Sequence, residues 1–351
     1  MRKRGLLWVS LACISIALTG CSGSENGTTT AAQTEASTAG EGENIETAKL
    51  SGEYASYPEK EIELTCPYSA GGGSDVFART FAEMAQSAGG VSKNIMVVNK
   101  PGGSGAVGNS YIYNKKGDDY ALCTMVGGQM MTAMVNNSEV QANMLTPIAN
   151  LALDEFTLSI KTGRFEDLDD FIEQAKDPNS GITVAGSGMA SDKQLCMELL
   201  NKYLGLSLKY VSFDSGGEVL SAMLGGHVDA GICGPSEIVS QIEAGNVTTL
   251  ATFSPEPLDG IDAPTFTELG YPECTFQMFR SIAGPPDMPE ELVKYWEEVC
   301  RKICESEEWQ KNYCEANMLT NKFIGSDELL DYWNSELEGY RVIWKDVGLI
   351  E

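Results

Sequence analysis

Histidine is all but absent: His227 is the single one in 351 residues. A Ser-His-Asp or Cys-His site needs an imidazole to carry the proton, and His227 follows Gly225-Gly226 just ahead of an apolar run, where a surface turn is expected. No segment fits the nucleophile elbow G-x-S-x-G, because Gly103-Ser104-Gly105 and Gly186-Ser187-Gly188 lack the outer spacing. No lysine follows Gly71-Gly72-Gly73 as a phosphate-binding P-loop requires; Ser74-Asp75 stand there instead. A zinc centre would need tighter ligand clusters with histidine. Positive charge is scarce too. Lys and Arg number 24 against 50 Asp and Glu, for a net charge of -26. Nucleic acid, which needs basic surface, is excluded as a partner. Long-range steering of an anion is disfavoured, so any anion must be held by local groups. The expectation is no enzyme, no catalytic residue, no metal and no cofactor. After the first two dozen residues there is also no apolar run of about 20 residues, the length a membrane-spanning helix needs.

What is present begins with a targeting segment. Arg2, Lys3 and Arg4 precede an apolar stretch from Leu6 to Leu18, as in a secretory signal. Leu18-Thr19-Gly20-Cys21 then resembles a lipobox, the sequence after which a bacterial lipoprotein is cleaved and its cysteine acylated. Residues 1–20 are therefore expected to be a signal peptide and Cys21 a lipidation site. That would anchor the protein at the outer face of the cytoplasmic membrane, on the periplasmic side if the cell has two membranes. Residues 21–56 are Ser, Thr, Gly, Glu, Asn and Ala with few large apolar groups, the composition of an unfolded tether.

Of the ten cysteines, Cys13 leaves with the signal and Cys21 carries lipid. Cys66, Cys123 and Cys233 sit within apolar strand patterns, and Cys196 and Cys300 at core-like helical positions. There a thiol acts as a small apolar side chain, so mostly free thiols are expected despite the extracytoplasmic address.

The remaining chain alternates strand and helix, which predicts a parallel sheet with helices on both faces. Ile62, Leu64 and Cys66 mark a strand that runs into Pro67-Tyr68-Ser69-Ala70-Gly71-Gly72-Gly73-Ser74-Asp75, with Ser74 placed as the N-cap of the helix that follows. Glycines allow close backbone approach, and the first helical turn offers unpaired N–H groups and a partial positive charge. Such a turn can hold a carboxylate or be an ordinary connection. The same order of strand, glycines, serine, aspartate and helix recurs at Gly186-Ser187-Gly188-Met189-Ala190-Ser191-Asp192. Two anion-holding turns, one in each half, would face each other across a cleft. Gly128 and Gln129 stand at the end of a third strand; Asp214 and Ser215, and Gly234 and Pro235, follow two later ones. Arg280 lies in an apolar strand pattern and needs an acidic partner, either a ligand carboxylate or a protein acid such as Asp75. Two long helices, 289 to about 316 and 326 to about 345, are expected to close the chain.

Pro67 to Asp75 with Arg79, Asn99-Lys100-Pro101-Gly102-Gly103-Ser104-Gly105, Gly186-Ser187-Gly188, Leu224-Gly225-Gly226-His227-Val228-Asp229 and Pro285-Pro286 occur in one order over residues 57–349. Together with Tyr57-Pro58 they resemble the solute-binding proteins of tripartite tricarboxylate transporters, the Bug-type receptors. The resemblance implies an α/β, two-lobed periplasmic-binding-protein architecture of type II-like, Venus-flytrap form, with a ligand cleft between lobes. It places lobe 1 at 57–153 plus 280–351 and lobe 2 at 154–279. It also implies a small carboxylate ligand and delivery to one large and one small integral membrane subunit. The ligand-binding set expected from the residue pattern and the resemblance together is Tyr68, Ser69, Ala70, Gly71, Gly72, Gly73, Ser74, Asp75, Gly128, Gln129, Gly186, Ser187, Gly188, Met189, Ala190, Ser191, Asp214, Ser215, Gly234, Pro235 and Arg280. A ligand-sensing lipoprotein that transports nothing has the same sequence signature, and an enzyme on small acids is a further alternative.

Overall fold

The computed structural model describes Leu50–Glu351. The signal segment, Cys21 and nearly all of the tether lie outside the described residues. Among those described, no helix is long and apolar enough to cross a membrane.

The chain opens as β1 (Ile62–Cys66), α1 (Gly73–Ser87), β2 (Ile95–Asn99), α2 (Ala106–Tyr113), β3 (Ala121–Val126) and α3 (Gly127–Val135). It leaves this half through β4 (Thr146–Asp154) and enters the other as β5 (Thr157–Lys161). There follow α4 (Leu168–Ala175), β6 (Thr183–Ser187), α5 (Asp192–Leu204), β7 (Lys209–Phe213), α6 (Gly216–Gly225), β8 (Ala230–Cys233), α7 (Pro235–Glu243) and β9 (Val247–Thr252). β10 (Met278–Gly284) returns to the first half, which α8 (Glu290–Glu305), β11 (Leu319–Gly325) and α9 (Ser326–Asp346) complete. Two sheets result, with strand orders β11-β4-β10-β3-β1-β2 and β7-β6-β8-β5-β9. The polar break at Asp154-Glu155 is where the chain crosses between them.

Each sheet is mixed rather than parallel throughout. β2, β1 and β3 are parallel, as are β7, β6 and β8. β4 and β10 pair antiparallel to each other, and β5 pairs antiparallel to both β8 and β9. The reason is topological: β4 carries the chain out of the first sheet and β10 carries it back beside β4, so the two must run in opposite directions.

Four tryptophans, Trp296, Trp309, Trp333 and Trp344, are fully buried. Trp296 and Trp309 join Phe77, Phe81 and Ile62 under the first sheet, while Trp333 and Trp344 join a core that runs on to Leu158, Phe171 and Leu200. The long helix expected from 289 to about 316 is interrupted. α8 ends at Glu305, Ser306 adopts an extended conformation, and a wide-turn helical segment spans Trp309–Glu315. The Ser306 hydroxyl receives the Trp309 N–H at 3.2 Å, and the indole N–H of Trp309 donates to Asn321 on β11. Seating Trp309 in the core thus sets the break. β11 itself gave little sequence signal because its residues are half or fully exposed at the sheet edge.

All eight cysteines of the described region are free and buried. Burial pushes the Cys233 thiol up to about 12 and the Cys123 thiol higher still. Little thiolate exists near neutrality, so these groups are inert packing elements. Ellman's reagent added to native protein is expected to react with almost none of them; without reductant but in denaturant it should find all eight. Fewer in denaturant would reveal disulfides.

Candidate functional site

Five helices, α1, α3, α5, α6 and α7, begin at the carboxyl ends of β1, β3, β6, β7 and β8. Their amino ends surround one cavity of about 630 Å³ lying between the two sheets. Ligands of such α/β sheets bind off these strand ends, where the helix dipoles point their positive ends inward.

All five helix starts use one device: the third helical residue turns its side chain back to a backbone N–H entering the helix. Asp75 accepts from Gly71 N–H at 2.9 Å, Gln129 from Val126 at 2.8 Å and Gln194 from Ala190 at 2.9 Å. Glu218 accepts from Asp214 at 3.1 Å, and Glu237 from Gly234 at 2.8 Å. On α5 and α6 a serine completes a capping box, Ser191 accepting from Gln194 N–H and Ser215 from Glu218 N–H. The entering loops are pinned by these bonds at the helix starts that surround the cavity.

Asp75 is the hub of the first loop. Oδ2 accepts from Gly71 N–H and from Arg79 Nε, each at 2.9 Å, while Oδ1 accepts from Asn99 Nδ2 at 2.8 Å. Asn99 Nδ2 also donates to the Tyr68 carbonyl at 3.0 Å. Burial pushes the Asp75 carboxyl up, but the bonds from Arg79, Gly71 and Asn99 outweigh it and hold the group down at about 2. The helix starts at Gly73 with Gly72 as N-cap, so Ser74 is not the cap. Only Gly71, at φ +86, needs glycine for its backbone; Gly72 is extended, and a Cβ there would meet only the Ser69 carbonyl at 3.6 Å.

Arg280 finds its partner in the protein. Its Nε and Nη2 fork onto both oxygens of Asp154, Nη2 at 2.6 Å, and Nη1 donates to the Gly73 carbonyl at 3.1 Å. The partner is therefore Asp154 and not Asp75. The guanidinium ties the β4–β5 crossing to the glycine loop of α1. Lys193 is likewise engaged, donating to Ser187 Oγ at 3.1 Å and facing Glu237 at 3.4 Å.

Of the residues expected from sequence, Tyr68, Ser69, Ala70, Gly72, Gly73, Ser74, Gly128, Ser187, Gly188, Met189, Ser191, Asp214, Ser215 and Arg280 line the cavity. Gly71, Asp75, Gln129, Gly186, Ala190, Gly234 and Pro235 do not. Asp75 faces away to brace its loop. Gln129 is 1 % exposed, committed to its helix cap and to Asn109 at 2.7 Å. Gly186 is packed under the Tyr210 ring, whose hydroxyl donates to Gly188 O at 2.9 Å. The lining also includes Ser104, Phe156, Asp192, Lys193, Glu237 and Met278. Asp192 ends the second glycine turn as read from the sequence. Phe156 and Met278 flank the two crossings and Glu237 caps α7; nothing local in sequence directs them to a common cavity.

Phe156 and Met278 give the cavity apolar wall between polar loops, and among the described residues no group of His, Cys, Asp and Glu is placed to hold a metal ion. A two-sheet α/β protein with glycine turns and helix amino ends converging on one cleft is a solute-binding protein in its architecture. The chain belongs to the tripartite tricarboxylate transporter family of receptors, whose family model matches residues 77–329. It is 25% identical over 248 residues to Protein BugT of Bordetella pertussis, covering 68% of this chain and 74% of that one. Among solved structures, periplasmic binding protein BugD superposes with a TM-score of 0.69 at 21% identity, over 84% of this chain and 99% of its own. MatC from Rhodopseudomonas palustris, solved with bound malate, gives 0.67 at 21% identity, over 82% and 99%. R. palustris Rpa4515, solved with adipate, gives 0.72 at 20% identity, over 83% and 98%.

Proposed function

We propose that this protein is a lipid-anchored extracytoplasmic receptor that captures a small carboxylate in the cleft and delivers it to a tripartite membrane transporter. The observation that carries the reading is the convergence of five helix amino ends on a cavity whose two cations are already paired. A carboxylate would be gripped by backbone N–H groups and hydroxyls of Ser69, Ser74, Ser187 and Ser215, each of which belongs to a loop or helix start at the cavity. No arginine or lysine need be freed to hold it. The adipate and malate carried by two structural relatives support this ligand class. Anchoring through Cys21 rests on the lipobox, and the two membrane subunits rest on the family. Closure around the ligand would pivot on the crossings near 153–160 and 276–284.

A thermal-shift screen of the purified protein against dicarboxylates, hydroxy acids and amino acids tests the reading. A ligand at a hundred times its Kd adds about 2.7 kcal/mol of stability, a clear rise in Tm. Silence from every acid, joined to an empty cleft by native mass spectrometry, would count against the receptor reading. Replacing Gly72 by valine should remove the shift while leaving the unliganded melting point within a few degrees, because the added methyls fill the cavity without straining the backbone. Undiminished binding in Gly72→Val would take that loop out of the site.

A further inference from the structure

Asp192 lies deep in the cleft with no side chain donating a hydrogen bond to its carboxylate. It is the first residue of α5 and lines the cavity. Its side chain reaches from the second half of the molecule to the amino end of α3 in the first. There Oδ1 lies 3.0 Å from where a Cβ on Gly127 would stand, and Oδ2 lies 3.5 Å from the same point on Gly128. Oδ1 is buried and has no hydrogen-bond partner. The neighbouring cations are committed: Arg280 to Asp154 and the Gly73 carbonyl, Lys193 to Ser187 and Glu237. With those pairs balanced, Asp192 inside and the exposed Asp214 at the rim are the acids of the cavity left without a cation. Burial first, and then the charge of Asp154, push the Asp192 carboxyl up to about 7, against the pull of its own backbone N–H, Lys193 and Arg280. A purely anionic ligand favours the protonated form of this carboxyl or, once it ionises, meets a like charge, whereas a ligand with a protonated amine holds it ionised and brings the missing donor and the missing charge together.

Resting on the carboxylate reading above, we infer that the ligand is an aminocarboxylate, with its carboxylate on the glycine loops and its ammonium received by Asp192. The specificity lies in the unpaired acid and not in the loops, which would accept any carboxylate.

The test compares isosteres by isothermal titration calorimetry on the full-length protein: aspartate, malate and succinate, then glutamate and glutarate, each against wild type and Asp192→Asn. One amino acid is expected to bind at least about tenfold tighter than the isostere that lacks the amine. In Asp192→Asn that preference should collapse, the amino acid weakening while the plain diacid tightens because a like charge has been removed. A merely structural role for Asp192 would weaken both alike. A diacid or hydroxy acid that binds wild type as tightly as its amino counterpart, or a preference unchanged in Asp192→Asn, overturns the inference and leaves the carboxylate reading standing. Binding by no acid of either series overturns both.

Discussion

Arg280→Met is expected to lower the free energy of unfolding by about 3–5 kcal/mol, the range for breaking a buried pair from one side. Arg280 is 7 % exposed, and its removal leaves the Asp154 carboxylate without its counter-charge at the cavity wall and the Gly73 carbonyl without its donor. Methionine keeps much of the stem's volume, which confines the loss to the charge and its hydrogen bonds. Urea unfolding of the single variant, of Asp154→Asn and of the double variant measures it. The double should cost less than the sum, since either single change already breaks the fork. Arg280→Lys should rescue little, because one ammonium cannot bridge both oxygens of Asp154 and the Gly73 carbonyl. An Arg280→Met protein as stable as wild type would remove the clamp from any account of the cleft. Because the clamp holds Gly73, its loss should weaken ligand binding as well as folding.

The second large effect belongs to Asp75. Asp75→Ala deletes the acceptor for Gly71 N–H, Arg79 and Asn99 at once and is expected to cost about 2–3 kcal/mol. Asn99 would keep its bond to the Tyr68 carbonyl and Arg280 its bond to Gly73, but Gly71 N–H would lose its acceptor and the middle of the loop its brace, so affinity should fall even for protein that is still folded. The pH dependence has a definite sign. The folded carboxyl is held at about 2, below its ordinary value of 3.8, so its stabilisation is complete above pH 3.8 and is lost as the pH falls through 2. The stability gap between wild type and Asp75→Asn should therefore be flat from neutrality to about pH 4 and close below it. A gap that persists at the acid end would mean that the carboxylate's charge is not what braces the loop.

Several of these features were legible in the residues. Strand, glycine turn and helix at 62–77 and 182–194 could be read from apolar spacing and small-residue runs, because those signals are local. The capping pairs Ser191 with Gln194 and Ser215 with Glu218 are S-x-x-Q and S-x-x-E, also local patterns. Gly71 declares itself only in part: three glycines in a row mark a turn, but which one carries the positive φ depends on where the helix begins. The start at Gly73 rather than beyond Ser74 follows from the reach of Asp75 back to Gly71, a tertiary detail fixed by Asn99 on a neighbouring strand. Likewise Asp75 reads as a binding residue by position in its loop, yet its side chain is drawn to the opposite side by Arg79 and Asn99.

Sequence by itself determined the alternation of strands and helices and the two glycine turns, since each depends on near neighbours and their intrinsic backbone preferences. The fold alone decided that β4 and β10 run antiparallel, that the helix after Glu305 breaks to seat Trp309, and that Arg280 answers Asp154 from 126 residues away. Only in three dimensions does Asp192 cross from α5 to the amino end of α3. Contacts of that kind are set by which buried charges can be matched once the two sheets are assembled, and no window along the chain contains both partners.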